Sequence, residues 1–326
     1  MKIASFSAQE YDKEYLDRAN QKYNFDITYF KEILHENNVQ ITKGFDVITA
    51  FTSDKLNENV LKKLKQNNIK VVAMRCTGIN NVDILAAKNL GIKVARVPGY
   101  SPHSVAEFTI GLLITSIRHI HQAVNRVRDL NFSLNGLLGT DLYQKTVGII
   151  GLGKIGKVVF NLLKAFGCKV LASDPYVKDE DIEKTDLATI YKNSDIITFH
   201  CSLTKENKHM VNKNSLAKMK DGVILVNTAR GALFNTEDII EGIKSKKISY
   251  LAIDVYEEEE NFFLKDLSSS IIYDDIFARL LTFQNVLVTA HQAFFTNTAL
   301  KVITETTLES IFNILNNKEC KNLIGV

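Results

Sequence analysis

The sequence predicts an α/β protein built from two doubly wound parallel-sheet units, and three observations carry that expectation. A short apolar run, a glycine turn and an amphipathic helix follow one another without interruption from residue 146 onward. Residues 1–100 alternate apolar runs with helical patterns, the order that builds a parallel sheet with helices on its faces. Between these regions lies Pro98-Gly99-Tyr100-Ser101-Pro102, which holds two of the chain's three prolines and reads as a joint. At 326 residues and 45% hydrophobic, the chain is long enough for two domains with real cores.

In the first region, strands are expected at 2–6, 26–30, 46–51, 70–75 and 93–97, with helices at 10–22, 58–67 and 82–89. Asp83, beside Asn80 and Asn81, suits the start of the last of these helices. This half has no G-x-G-x-x-G and is not expected to hold a cofactor. After the joint, residues 104–118 form a helix apolar on most sides, more than a one-sided surface helix needs. Burial at a subunit interface and burial inside one large core explain it equally well.

The second region is organised around T-V-G-I-I-G-L-G-K-I-G-K-V-V-F, residues 146–160. Residues 147–150 suit a buried strand. Helical spacing then places Ile155, Val158, Val159, Leu162, Leu163 and Phe166 on one side, and Gly167 ends the helix. A second strand, 169–173, leads to Asp174, about 20 residues beyond the glycines. In that context Gly151 allows the tight turn, Gly153 lets a pyrophosphate approach the backbone, and Gly156 lets helix and strand pack closely. The helix N-terminus offers unpaired N–H groups and a positive dipole end to phosphates. Asp174 would accept the ribose hydroxyls and repel a 2′-phosphate, which favours NAD over NADP.

Further strands are expected at 195–200, 223–228, 250–255 and 286–289, a helix at 237–245, and a long amphipathic helix at 298–316. Three polar features stand at or just past the carboxyl ends of these strands, where open α/β sheets place their sites. Arg230 in N-T-A-R-G can grip a carboxylate with two parallel hydrogen bonds. Asp254 lies within a strand pattern, so a buried, hydrogen-bonded role is expected, and one glutamate of the acid run 257–260 can partner a histidine. Spacing does not say which. His291 follows an apolar strand and precedes Phe294 and Phe295, which can dry a small pocket. Histidine is the side chain suited to giving and taking a proton near neutral pH. Nicotinamide cofactor, carboxylate grip and proton donor together specify hydride transfer to a 2-keto acid.

Composition excludes other classes. A net charge of +3, spread without a basic stripe, does not imply nucleic acid. The apolar stretch 105–117 is interrupted by Glu107, Thr109 and Thr115 and is too short to span a bilayer. No signal-like apolar run opens the chain, and Cys76, Cys168, Cys201 and Cys320 show no zinc spacing. No metal and no membrane partner are expected, and a cytoplasmic location with reduced thiols is.

Seven stretches together resemble one family. They are R-C-T-G-I-N-N-V-D (75–83), R-V-P-G-Y-S-P (96–102), R-D-L-N-F-S-L-N-G-L-L-G (128–139), G-L-G-K-I-G (151–156), N-T-A-R-G-A-L (227–233), D-V-Y-E (254–257) and H-Q-A-F-F-T (291–296). The chain is similar over nearly its whole length to the D-isomer-specific 2-hydroxyacid dehydrogenases, and most similar to their bacterial lactate-forming branch. The resemblance implies a flavodoxin-like substrate domain (1–100 plus 299–326), a Rossmann NAD-binding domain (101–298), and an active site in the cleft between them. It assigns Arg230 to substrate binding, His291 to acid/base work and Glu259 as the partner of His291. It adds Thr77, Gly78, Tyr100 and Phe294 as substrate contacts. Lys154, Ile155, Cys201, Ser202, Asn207, Thr228, Ala229 and Asp254 join Gly151, Gly153, Gly156 and Asp174 as cofactor contacts. The implied reaction is NADH-dependent reduction of pyruvate to D-lactate by a homodimer or homotetramer joined through residues 101–140. A bulkier 2-keto acid as substrate is the alternative, and a NAD-sensing, corepressor-like protein a more distant one. Three positions depart from the family pattern: Gly99 in place of alanine, Phe108 in place of histidine, and Ser202 in place of proline.

Overall fold

Each apolar run bounded by turn residues becomes a strand in the computed structural model, which describes residues 1–177, 182–262 and 265–325. In chain order the first elements are β1 (Lys2–Ser5), α1 (Glu10–Asn20), β2 (Asp26–Tyr29), β3 (Val47–Ala50), α2 (Glu58–Gln66), β4 (Val71–Met74), α3 (Ile84–Asn89) and β5 (Lys93–Ala95). Then come α4 (Pro102–Ile117), α5 (Ile120–Arg128), β6 (Thr146–Ile150), α6 (Lys154–Ala165), β7 (Lys169–Ser173), α7 (Leu187–Asn193), β8 (Ile196–Phe199) and α8 (Lys213–Lys218). The chain continues with β9 (Val223–Asn227), α9 (Thr236–Lys244), β10 (Ile248–Ile253), α10 (Asp275–Leu281) and β11 (Val286–Val288), and ends with α11 (Asn297–Leu315) and β12 (Leu323–Ile324).

These elements form two compact units, one of Met1–Ser101 with Phe295–Val326 and one of Pro102–Phe294. The second seam falls a few residues ahead of 298/299, because Phe295 packs edge-on against Tyr11, with ring centroids 4.7 Å apart, and Thr296 caps α11. The last residue of the discontinuous unit, Val326, lies outside the described residues.

The first unit carries the sheet β12-β5-β4-β3-β1-β2, parallel except for β12. Its core strands Val47–Ala50 and Val71–Met74 are buried at every position, the mark of a sheet covered on both faces. Leu61 and Leu64 of α2 lie in the apolar cluster of one face, and Leu16 of α1 with Leu308, Ile311 and Ile314 of α11 in that of the other. Asp83 caps α3 by accepting the Ala86 N–H at 2.9 Å. β12 is too short for any periodicity, and only pairing with β5 reveals it.

The second unit carries the all-parallel sheet β11-β10-β9-β8-β6-β7, extended past β7 by a single parallel bridge between Ala172 and Lys184. α4 belongs to this unit's own core. Ala106, Ile110, Leu113 and Ile117 pack with Val147, Ile149, Val159 and Leu163, and Phe108 rests half-buried on the same cluster. Burial within one core therefore accounts for that helix. Pro102 sits in its first turn, where a missing N–H costs nothing. By contrast, no residue of α5 is buried.

Among the described residues all four cysteines are free, and no helix is long and apolar enough to cross a membrane.

Candidate active site

Parallel strands deliver their carboxyl ends to one edge, and in the second unit every polar feature expected from the sequence arrives there. The order reverses between β6 and β8, the point at which such sheets open a crevice. Gly151 leaves β6 with φ +99, and a Cβ there would stand 2.6 Å from the Cys201 backbone nitrogen. A Cβ on Gly156 would lie 1.9 Å from the Gly151 carbonyl oxygen, so only glycine lets α6 start this close to the strand. Gly153, the N-cap of α6, faces open space, with nothing within 4 Å of the position a Cβ would take. Lys154 and Ile155 supply the first N–H groups of the helix beside that space. A pyrophosphate fits such a cradle.

Asp174 follows β7. One carboxylate oxygen accepts the Leu152 N–H at 2.8 Å, and the other accepts those of Tyr176 and Val177 at 2.8 and 3.0 Å. Burial works against the charged form, but these three donors and the Lys184 charge outweigh it and hold the carboxyl below its usual range. An ionised carboxylate has about four acceptor positions, so capacity remains for a ribose hydroxyl. Beyond β8, Asn207 closes the loop that contains Cys201 and Ser202. Its amide donates to the Ser202 carbonyl at 2.8 Å, and its oxygen accepts the Thr204 N–H at 2.7 Å.

Three adjacent strand ends carry the remaining residues. After β9, the Asn227 side chain accepts the Ala229 N–H at 2.9 Å and donates to the Arg230 carbonyl at 2.8 Å, folding N-T-A-R into a tight loop. Thr228 is tied to Thr109 of α4 by a buried hydroxyl–hydroxyl bond of 2.8 Å. Arg230 Nη1 donates to the Ala229 carbonyl at 2.6 Å, using one of its five donors. At Gly231 a Cβ would come within 2.0 Å of the Tyr256 backbone, which is how closely this loop meets the loop after β10.

Asp254, at the end of β10, is buried as expected. Its oxygens accept Thr289 Oγ1 at 2.5 Å, the Gln292 N–H at 2.9 Å and the Ala293 N–H at 2.8 Å, and its carbonyl accepts the His291 N–H at 2.7 Å. It thereby fixes the backbone that carries the histidine. His291 adopts φ +51, a left-handed conformation that a side chain of this size holds only when neighbours impose it. Its Nδ1 lies 2.8 Å from Glu259 Oε1, and Glu259 Oε2 accepts the Tyr256 N–H at 3.1 Å. Of the four acids at 257–260, Glu259 is thus the one beside His291.

The structure also brings together a pair that sequence reasoning missed. His209 Nε2 meets Glu257 Oε1, and Glu257 Oε2 accepts the Thr236 hydroxyl at 3.2 Å. The acid run was visible in the sequence, but nothing in the spacing linked it to His209. A third histidine, His200, is pushed down by burial to about 3, so its ring is neutral near pH 7 and does not serve as an acid. Phe294 is buried in this unit. Thr77, Gly78 and Tyr100 belong to the first unit, where the Thr77 carbonyl accepts from Arg96 at 3.2 Å and the Gly78 carbonyl from the Cys76 thiol at 3.1 Å. No group of histidine, cysteine and carboxylate side chains among the described residues is arranged to hold a metal.

Residues 110–293 match the family model described as D-isomer specific 2-hydroxyacid dehydrogenase, NAD binding domain. The chain belongs to the D-isomer-specific 2-hydroxyacid dehydrogenase family. It is 46% identical over 328 residues to a 2-hydroxyacid dehydrogenase homolog of Haemophilus influenzae, covering 99% of each chain. It is 44% identical over 326 residues to the D-lactate dehydrogenase of Escherichia coli, again with 99% of each covered. The apo-structure of the E. coli enzyme superimposes with a TM-score of 0.90 at 43% identity, over 99% of this chain and 100% of that one. As a member of this family the protein is an NAD-dependent oxidoreductase.

Proposed function

We propose that this 2-hydroxyacid dehydrogenase is a D-lactate dehydrogenase that reduces pyruvate. The observation that carries the reading is the His291–Glu259 pair, 2.8 Å apart and anchored to Asp254, in a chain matching D-lactate dehydrogenases end to end. NADH, when bound, supplies the hydride; the protein's own residues bind, orient and protonate. Arg230 grips the substrate carboxylate. Thr77, Gly78, Tyr100 and Phe294 are assigned as further substrate contacts. His291 gives its proton to the carbonyl oxygen as that oxygen becomes a hydroxyl, and Glu259, against Nδ1, holds the ring in place. Gly151, Gly153, Lys154, Ile155, Gly156, Asp174, Cys201, Ser202, Asn207, Thr228, Ala229 and Asp254 are assigned to NAD binding. The location assigned is the cytoplasm.

The test is NADH oxidation followed at 340 nm with pyruvate, 2-ketobutyrate, 2-ketoisocaproate and phenylpyruvate, with the chirality of the product determined. Pyruvate preferred, with D-lactate formed, is the expected result. Preference for a branched or aromatic keto acid would leave the chemistry in place and overturn the pocket assignment.

A second copy of this chain is the assigned partner. Phe132 is 70% exposed, Leu134 82% and Leu138 91%, a density of apolar side chains that water penalises, and they continue the uncovered helix α5. Sedimentation should give a dimer or tetramer, and Leu134→Glu with Leu138→Glu should reduce it to smaller species. A wild-type monomer at micromolar concentration would refute the assignment.

A further inference from the structure

Arg75 is a charged side chain in the interior of the first unit, only 1% exposed and among the largest fully buried groups in the molecule. Burying a guanidinium is expensive, and a well-packed apolar side chain would ordinarily cost less. Its partners come from three separate segments. Nη1 donates to Ser5 Oγ at 3.1 Å and to Thr49 Oγ1 at 2.9 Å, and Nη2 donates to the Ser7 carbonyl at 3.2 Å. Nε faces the Asp12 carboxylate at 3.4 Å, too far for a good hydrogen bond. One cation thus ties together the ends of β1 and β3 and the first turn of α1, and its own N–H binds the Ala50 carbonyl at 2.8 Å.

The placement is specific. β1 lies between β2 and β3, so these loops stand at the reversal point of the first sheet, on its carboxyl edge. Ser7 is held there at φ +50, a conformation uncommon for a non-glycine residue, with its hydroxyl donating to Asp54 at 2.8 Å. Backbone strain of this kind collects where surrounding contacts over-determine a site. Immediately after Arg75 comes the turn Cys76-Thr77-Gly78. The carbonyls of Thr77 and Gly78 are both taken by protein donors, and Val97 N–H holds the Cys76 carbonyl at 3.1 Å. Among the described residues no backbone carbonyl takes the N–H of Thr77 or Gly78. These N–H groups belong to two of the residues assigned above as substrate contacts.

We infer that Arg75 is a positioning residue for the substrate carboxylate. It clamps the loops after β1, β3 and β4 so that the Thr77–Gly78 N–H groups keep one geometry. The inference rests on the proposed reading of that turn as part of the keto-acid site. A lysine could not take its place, because a point ammonium cannot span acceptors on both sides of a planar fork.

The test is steady-state kinetics on the full-length protein, with NADH affinity measured separately by fluorescence. Arg75→Lys should raise KM for pyruvate by roughly tenfold or more with kcat within about twofold, since loss of loop geometry weakens ground-state and transition-state binding together. NADH affinity should not change. Thr49→Val, a near-isosteric change that removes one acceptor, should raise KM about threefold by the same logic, and it decides the question if Arg75→Lys fails to fold. A folded variant with unchanged KM, or one with lowered kcat at unchanged KM, overturns the inference while leaving the function standing. A wild type that reduces no 2-keto acid overturns both.

Discussion

His291→Ala is expected to lower kcat by about 10²–10⁴-fold, the range that a positioned general acid contributes. NADH binding should hardly move, because no cofactor contact is assigned to the imidazole and the loss is confined to proton transfer. The mutation is informative because two other histidines that follow β8 in the same unit are accounted for. His200 is neutral through burial, and His209 is engaged by Glu257. Glu259→Gln should fall between wild type and His291→Ala, since it can keep an oxygen beside Nδ1, now 2.8 Å away, but removes the carboxylate charge opposite the ring. Stopped-flow single turnovers with preloaded NADH give the clearest measurement. A His291→Ala enzyme within tenfold of wild type would remove His291 from its role.

Arg230→Ala should be the second large effect, with kcat/KM for pyruvate falling by roughly 10²–10⁴-fold, about the loss of two charge-assisted hydrogen bonds worth about 1.5–3 kcal/mol each. Most of this should appear as a higher KM. Arg230→Lys keeps the charge and loses the fork, so it should recover only part of the loss. The fold of the loop should survive both changes. Its shape is held by two bonds of the Asn227 side chain and the close approach at Gly231, and the guanidinium adds one bond, to the Ala229 carbonyl. An unchanged KM in Arg230→Ala would place the carboxylate elsewhere.

What was legible in the sequence follows from the range of the forces involved. Strands β6 and β7, helix α6 and the turn between them were readable because each depends on neighbours a few residues away: apolar periodicity, glycine where the backbone crowds, and an acid at a strand end. Asp254 was readable as buried for the same reason. Glu259 was not separable from Glu257, Glu258 and Glu260 by spacing, because the choice is made by the 3₁₀ turn at Glu259–Asn261 and by Tyr256 N–H, which aim one carboxylate at a histidine far along the chain. Resemblance supplied what spacing could not. Neither source pointed to the His209–Glu257 pair or to the buried Arg75. In each case the deciding partners lie on segments distant in the chain, and the residue itself looks like any surface charge until the sheet is assembled. α4 shows the opposite ambiguity: its apolar surface was plain, but only the packing against β6 and α6 says what covers it.

The return of the chain to its first unit has a consequence for how the molecule is made. The sheet of that unit has one face closed by Leu308, Ile311 and Ile314 of α11, and β5 receives its last partner from Leu323–Ile324. A ribosome makes these residues after the whole of the second unit. The continuous stretch Pro102–Phe294 can therefore complete its core first, while Ile3, Val47 and Val71, translated much earlier, stay without the cover of α11 until that helix has been made. The first unit is begun before the second and closed after it.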